Sequence, residues 1–286
     1  MPLVTIADLN NPDEAREKIE LAKQLSVLYD EYVNTEDDDS HTRPPGIHPS
    51  EFSSCLRKIT YNMFNTDKKV SISKFWRQRF KVGHAIHDMV QKDCDKMAKR
   101  SRKFATQFAK SRNWVLEFEK EVPLSPDFQP IAKELHLVGH CDGIFTFRET
   151  AHGPAILRVG LEIKSESPAE FEKLKEPKQA HVEQCHLYMA ALDLPLMWFF
   201  YFSKGTQNNT ASESPWLIPF NPDVWKDVEE RCRMSIGMVA KRELGPRQES
   251  IVCQFCAYAW TCQPAILQPG VGKPSKLQTL RVPKEE

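Results

Sequence analysis

The stretch Gly160-Leu161-Glu162-Ile163-Lys164 carries residue types that could do chemistry. On a strand, side chains alternate between faces, so Glu162 and Lys164 project together while Leu161 and Ile163 enter the opposite, apolar face. A carboxylate beside an ammonium can be a surface ion pair worth about 0–1 kcal/mol and nothing more. The upstream run Leu137-Val138-Gly139-His140-Cys141-Asp142-Gly143 adds a second acid. If 135–147 and 155–164 pair antiparallel, Asp142 and Glu162 meet at one solvent-reachable end. Two carboxylates that close repel unless a divalent cation lies between them. Mg²⁺ or Mn²⁺ suits such an oxygen-rich site, whereas structural zinc prefers Cys and His. Asp142-Gly143 alone could form a turn, but the apolar residues on both sides favour a strand.

Three further groups stand out. His87 lies four residues after Gly83 on a basic helical stretch, where a single His is as a rule structural or exposed. Gln184 and Tyr188 share a helix face at i and i+4. They could contact phosphate or orient Lys164, or be the polar edge of a core helix. Cys253, Cys256 and Cys262 crowd into ten residues, while Cys94, Cys141, Cys185 and Cys232 are scattered and read as small core residues. Zinc ribbons pair two C-x-x-C knuckles, and no second knuckle exists here. Three clustered thiols with a remote partner also suit an iron–sulfur cluster. Reduced core thiols are a third reading. Cys55, on its own short helix, is the best fourth ligand.

The elements that must position these residues follow from periodicity. Residues 11–33 read as a helix, 36–45 as an acidic linker ending in Pro, and 48–64 as a helix carrying Cys55. Residues 73–110 form a long basic helix with Gly83 as a candidate break. Strands are expected at 114–122, 135–147 and 155–164, a helix at 168–192, a buried strand at 196–202, a strand at 216–220 and a helix from Asn221 to about Arg242. This order suggests an α/β mixed sheet flanked by helices.

Taken in order, the pieces resemble the RecB-type nucleases of the PD-(D/E)XK superfamily over roughly residues 48–262. His87 matches the helix histidine, Asp142 the aspartate of G-x-x-D, Glu162 and Lys164 the E-x-K, and Gln184 with Tyr188 the Q-x-x-x-Y. Cys55 with C-x2-C-x5-C matches the split arrangement of members that hold iron–sulfur clusters, AddB-type subunits and CRISPR adaptation nucleases among them. The resemblance implies a restriction-endonuclease-like core, with the N- and C-terminal segments joined at a four-cysteine 4Fe-4S cluster. It implies that Asp142, Glu162, the Ile163 carbonyl and His87 hold Mg²⁺ or Mn²⁺. Lys164 would then orient or help deprotonate the attacking water, with Gln184 and Tyr188 completing the catalytic set. The implied activity is a metal-dependent DNA nuclease, an exonuclease on single strands or ends rather than an endonuclease, in DNA repair or recombination. Two alternatives stay open: a catalytically weak DNA-end-binding subunit, and a zinc-containing protein–protein adaptor.

Composition bounds the rest. The 286 residues carry 39 Lys plus Arg against 39 Asp plus Glu, yet the balance is uneven. Residues 1–40 hold eleven acids and three bases; residues 68–112 hold fourteen bases and three acids. A concentrated basic stripe attracts phosphate whatever the total charge, so Lys99, Arg100, Arg102 and Lys103 are candidate DNA contacts; a solvated helix face is the plainer alternative. The expected organisation is an acidic helix and linker at 1–46, a nuclease core with its clasp at 47–262, and a Pro-rich tail at 263–286. The acidic segment is a candidate site for a protein partner. No apolar run approaches the roughly 18–20 residues of a membrane span, and residues 1–10 resemble neither a secretory signal nor a transit peptide. The expected setting is intracellular, cytoplasmic in a bacterial or phage context, with nuclear or organellar placement left open. The chain lacks a G-x-x-x-x-G-K-[ST] loop, so it is not itself a helicase.

Overall fold

A computed structural model describes residues 18–25, 46–64, 74–108, 115–125, 127–205, 216–248, 253, 256 and 258–262; within 74–108, side chains are described for 82–100. The acidic linker, most of the acidic N-terminal segment and the Pro-rich tail lie outside these residues.

The described elements are α1 (18–25), a 3₁₀ turn Pro49–Glu51, α2 (Leu56–Met63), α3 (Lys74–Phe108), β1 (Val115–Leu124), α4 (Pro130–Glu134), β2 (Gly139–Arg148), β3 (Ala155–Glu166), α5 (Pro168–Phe171), α6 (Gln179–Leu192), β4 (Leu196–Ser203), β5 (Trp216–Pro219), α7 (Pro222–Ala240) and α8 (Ala259–Cys262). The strands form one sheet in the order β1-β2-β3-β4-β5. The first three run antiparallel, β4 lies parallel to β3, and β5 returns antiparallel to β4. The parallel step needs a crossover, and α6 supplies it. This is the expected α/β architecture: a mixed central sheet flanked by helices.

Two apolar layers sandwich the sheet. On one side Ile86, Val90, Cys94 and Met97 of α3 and Leu21 and Leu25 of α1 pack on Leu157, Val159, Leu161 and Ile163 of β3. On the other, Cys185, Leu187 and Met189 of α6 and Val228 and Cys232 of α7 pack on Met197, Phe199 and Tyr201 of β4. Covered on both faces, β4 reads as the continuous run LMWFFYFS. The four scattered cysteines are all buried.

Several boundaries differ from expectation for local reasons. The helix through Gly83 is unbroken, since its other residues supply enough helix-forming character to absorb one glycine. The 48–64 segment is a 3₁₀ turn followed by α2, and Cys55 is the extended residue at the α2 N-cap. Strand β2 begins at Gly139, because Pro130 starts the short helix α4 and His136 then turns the chain with φ 52°. The 168–192 helix is two, α5 and α6, separated by a stretch holding Pro177, whose ring disfavours a continuous helix. Asn221 caps α7 as read, accepting the Asp223 N–H at 2.9 Å.

Candidate active site

Strand β3 sets the site. Leu161 and Ile163 enter the α3-side layer, so Glu162 and Lys164 face α6. The β2–β3 ladder runs from Arg148↔Ala155 to Gly143↔Leu161 and goes no further. Beyond that point the Ile163 N–H has no strand partner on the β2 side, and the Asp142 carboxylate takes the place of one: Oδ2 accepts it at 2.7 Å. Gly143 is required at this divergence, because a Cβ there would run into the Phe118 ring. On the other oxygen, Oδ1 lies 3.4 Å from His87 Nδ1 of α3. The acid, the E-x-K strand and the helix histidine thus converge.

The α6 side is tied to the same strand. Lys164 Nζ is 2.5 Å from Glu162 Oε1 and donates to Gln184 Oε1 at 2.9 Å. The Gln184 amide in turn donates to Glu162 Oε1 at 2.7 Å and to Tyr188 Oη at 3.1 Å. Gln184 therefore fixes both charged groups at once, and Tyr188 fixes Gln184. Glu162 does not stand at a solvent-reachable strand end: it is 2% exposed, because α6 covers this face of β3. Its Oε2 is buried without a hydrogen-bond partner among the described residues.

Burial and neighbours set the charge states in opposite directions. Burial drives the Glu162 carboxyl up to about 7; Lys164 opposes the shift and Asp142 adds to it. Burial also presses on Asp142, but His87, Lys164 and the Ile163 N–H hold it below the usual carboxylate range. His87 and Lys164 both lose to burial and regain more from the carboxylates, Asp142 for His87 and Glu162 for Lys164, so both sit above their ordinary values. The Asp142 carboxyl is thus held down and the Glu162 carboxyl up near 7, while His87 and Lys164 are both raised.

Two residues escaped the sequence reading. Gln91, one turn after His87, donates to the Asp142 carbonyl at 2.8 Å and to Glu121 Oε1 at 2.5 Å. Glu121 lies in β1 between the Lys120↔Gly143 and Val122↔Cys141 pairs, with φ 50°, a left-handed conformation rare for a residue with a side chain. Around this point both strands turn over. Leu116, Phe145 and Phe147 belong to the α3-side layer, whereas Val122, Leu124 and Cys141 belong to the other. The i+4 spacing from His87 could have flagged Gln91; nothing in the sequence marks Glu121.

The second constellation lies at the edge of the fold. Cys55, Cys253, Cys256 and Cys262 line one cavity together with Arg57, Lys58, Tyr61 and Arg247. Arg57 Nε donates to the Gly245 carbonyl at 2.9 Å, and Tyr258 Oη donates to Asn62 Oδ1 at 2.6 Å, fastening the C-terminal segment to α2. Burial raises the Cys256 and Cys262 thiols. Among the described residues, neither place holds three or more His, Cys, Asp or Glu side chains already drawn into a metal-ligating group.

Of the candidate DNA contacts, Lys99 and Arg100 are exposed on α3, and Lys99 lies 2.5 Å from Asp95. The side chains of Arg102 and Lys103 lie outside the described residues. No described helix is long and apolar enough to cross a membrane.

No family model matches the chain, and no curated protein matches its sequence. Solved structures similar to it include SSO0001, at 12% identity and a TM-score of 0.40, covering 84% of this chain and 94% of that one. LHK-Exo in complex with dAMP is similar at 11% identity and TM-score 0.40, covering 69% and 89%. The alkaline exonuclease LHK-Exo from Laribacter hongkongensis is similar at 10% identity and TM-score 0.40, covering 68% and 88%.

Proposed function

We propose that the chain is a metal-dependent deoxyribonuclease with a restriction-endonuclease-like core at 47–262, acting as an exonuclease on single strands or DNA ends. The observation that carries this reading is the convergence of Asp142, Glu162, Lys164 and Gln184 with His87 at the point where β2 and β3 part. Asp142, Glu162, the Ile163 carbonyl and His87 would hold Mg²⁺ or Mn²⁺, which when bound polarises a phosphoryl group and acidifies water. The fit rests on Glu162, whose buried Oε2 lacks a partner among the described residues and suits a positive one. Lys164, whose ammonium Glu162 holds up, would orient or help deprotonate the attacking water and stabilise charge on the phosphate. Gln184 sets the spacing between that ammonium and Glu162, while Gln91 anchors the backbone of Asp142. The test is digestion of 5′- and 3′-labelled single- and double-stranded DNA with Mg²⁺ or Mn²⁺. Cleavage lost in Lys164→Ala supports the reading; near-normal digestion by that variant overturns it.

The cysteine cavity supports a second, structural part of the proposal: Cys55, Cys253, Cys256 and Cys262 hold one iron–sulfur cluster of the four-iron kind. Four thiols on one cavity supply the donor chemistry, and Arg57, Lys58 and Arg247 offset the charge of thiolates. Zinc is the competing occupant, and iron and zinc counted per chain in anaerobically purified protein separate the two.

A further inference from the structure

A second polar chain stands beside Lys164, unused by the cluster above. In the parallel β3–β4 register Lys164 is the neighbour of Tyr201, so both side chains face α6. The first turn of α6 lays His181 over Tyr201: Nδ1 lies 2.6 Å from Tyr201 Oη, and the ring stacks at 6.3 Å on Phe199. His181 is one turn ahead of Gln184, the residue that grips Lys164 and Glu162.

The hydrogen bonds assign the tautomer. The Lys178 backbone N–H donates to Tyr201 Oη at 3.3 Å, and burial raises the phenol far above its ordinary value, so Tyr201 stays protonated. Its own proton then fills the short approach to His181 Nδ1. An imidazole that accepts at Nδ1 carries its hydrogen on Nε2. Burial, then Lys164 and Lys178, pull His181 down to about 3, so the ring is neutral at any working pH. The hydrogen bond this ring makes among the described residues is the one at Nδ1, which leaves Nε2–H for a ligand. Lys178 itself is engaged, with Nζ 2.6 Å from Glu166 Oε1.

We propose that His181 is a substrate-contacting residue whose Nε2–H donates to a non-bridging phosphate oxygen of the strand held at Lys164. The proposal rests on the nuclease reading. Its logic is electrostatic: a third cation here would repel both Lys164 and a bound divalent ion, whereas a neutral donor adds a directed bond without that repulsion. Tyr201 keeps the donor aimed by holding the opposite nitrogen.

The experiment compares wild type, His181→Ala, His181→Gln and Tyr201→Phe with Mn²⁺. The substrates are one labelled oligonucleotide and a series in which a single methylphosphonate, lacking one anionic oxygen, is moved linkage by linkage. His181→Ala should lower kcat/KM roughly ten- to hundredfold, the loss expected for a hydrogen bond to a charged group. His181→Gln, which keeps an N–H at similar reach, should retain most activity, and Tyr201→Phe should fall between them. In wild type one methylphosphonate position should slow cleavage by a similar factor, and His181→Ala should no longer feel that substitution. Unchanged kcat/KM in His181→Ala, or an undiminished methylphosphonate penalty at every linkage, overturns the assignment while wild-type cleavage stands. A wild type that cuts no substrate with either metal brings down the nuclease reading and this proposal together. The two failures therefore appear in different proteins.

Discussion

At the scale of single residues, the site is governed by one carboxyl group that the fold holds in the wrong medium. Glu162 is buried to 2% and pushed up to about 7, while Asp142 is held ionised. In the folded, metal-free chain Glu162 therefore keeps a proton that the unfolded chain releases near 4.5. Its contribution to stability is complete below that value and is lost as pH climbs to about 7. Thermal melts of metal-free protein across pH 4.5–7 should show this slope, and Glu162→Gln should flatten it; an identical slope in the variant would remove Glu162 as its source. Cleavage should behave in the opposite sense. The rate should rise through about pH 7 and its midpoint should move lower as Mn²⁺ increases, because cation and proton compete for the same carboxylate. A rate profile flat from pH 6 to 8 at limiting Mn²⁺ would contradict this. Glu162→Ala and Lys164→Ala should each reduce cleavage by roughly a hundredfold or more. Much of this cluster was legible in advance. Period-two alternation separated Glu162 and Lys164 from Leu161 and Ile163, and i,i+4 spacing joined Gln184 to Tyr188. The burial of Glu162 was not legible, because it depends on α6 crossing over β3.

At the scale of elements, the site exists because regular structure stops in the right places. β2 leaves β3 at Gly143, and the freed Ile163 N–H finds Asp142. β1 turns over at Glu121, in a backbone conformation no propensity argument would assign to Glu inside a strand. The sequence therefore marked the three strands and, as a condition, the antiparallel pairing of the second with the third, yet neither the pairing of the first strand, the split of the helix that follows, nor the irregularities at Glu121 and Gly143. Two substitutions test this division. Glu121→Gly should relieve the backbone while Glu121→Val should strain it, so their denaturation midpoints should differ by the equivalent of about 1–2 kcal/mol in favour of Gly. Equal midpoints would mean that φ at 121 relaxes without cost. On α3, which continues through Gly83, an added Cβ meets only Ser165 Oγ at 3.4 Å. Gly83→Ala should then stabilise the fold by about 0.5–1 kcal/mol through the reduced freedom of the unfolded chain. Destabilisation would show that the two elements approach more closely than this.

At the scale of the whole molecule, the features that act over distance are the tie between chain segments and the layout of charge. The tie joins α2 to the segment that follows α7 through Arg57, Asn62 and Tyr258, and four thiols line the cavity between them. If a cluster closes that cavity, its binding free energy becomes folding free energy. Cys55→Ala should then lower both Tm and metal content, while Cys94→Ala leaves metal content alone, since Cys94 is buried in the α3-side layer. Iron fully retained after Cys55→Ala would exclude that thiol. Charge supplies the other long-range effect. The chain is neutral overall, but fourteen bases against three acids fall within residues 68–112, along and around α3. The same helix delivers His87 and Gln91 to Asp142, so on the nuclease reading proposed above a strand drawn to the basic residues of α3 would also lie near the cluster. Each phosphate neutralised releases condensed counterions, so affinity should fall steeply as salt rises, with a log–log slope set by how many phosphates the protein neutralises. Replacing Lys99, Arg100, Arg102 and Lys103 together by Gln should flatten that slope by up to about three for a single-stranded substrate, roughly 0.7 for each phosphate left to its counterions. Lys99, already beside Asp95, should contribute least, because the DNA must first compete with that carboxylate. Fluorescence anisotropy with a labelled oligonucleotide in metal-free buffer, which separates binding from cleavage, measures the slope directly. A slope and affinity that match wild type would reduce this face of α3 to solvated surface and move the search for the strand's path to the opposite rim of the site.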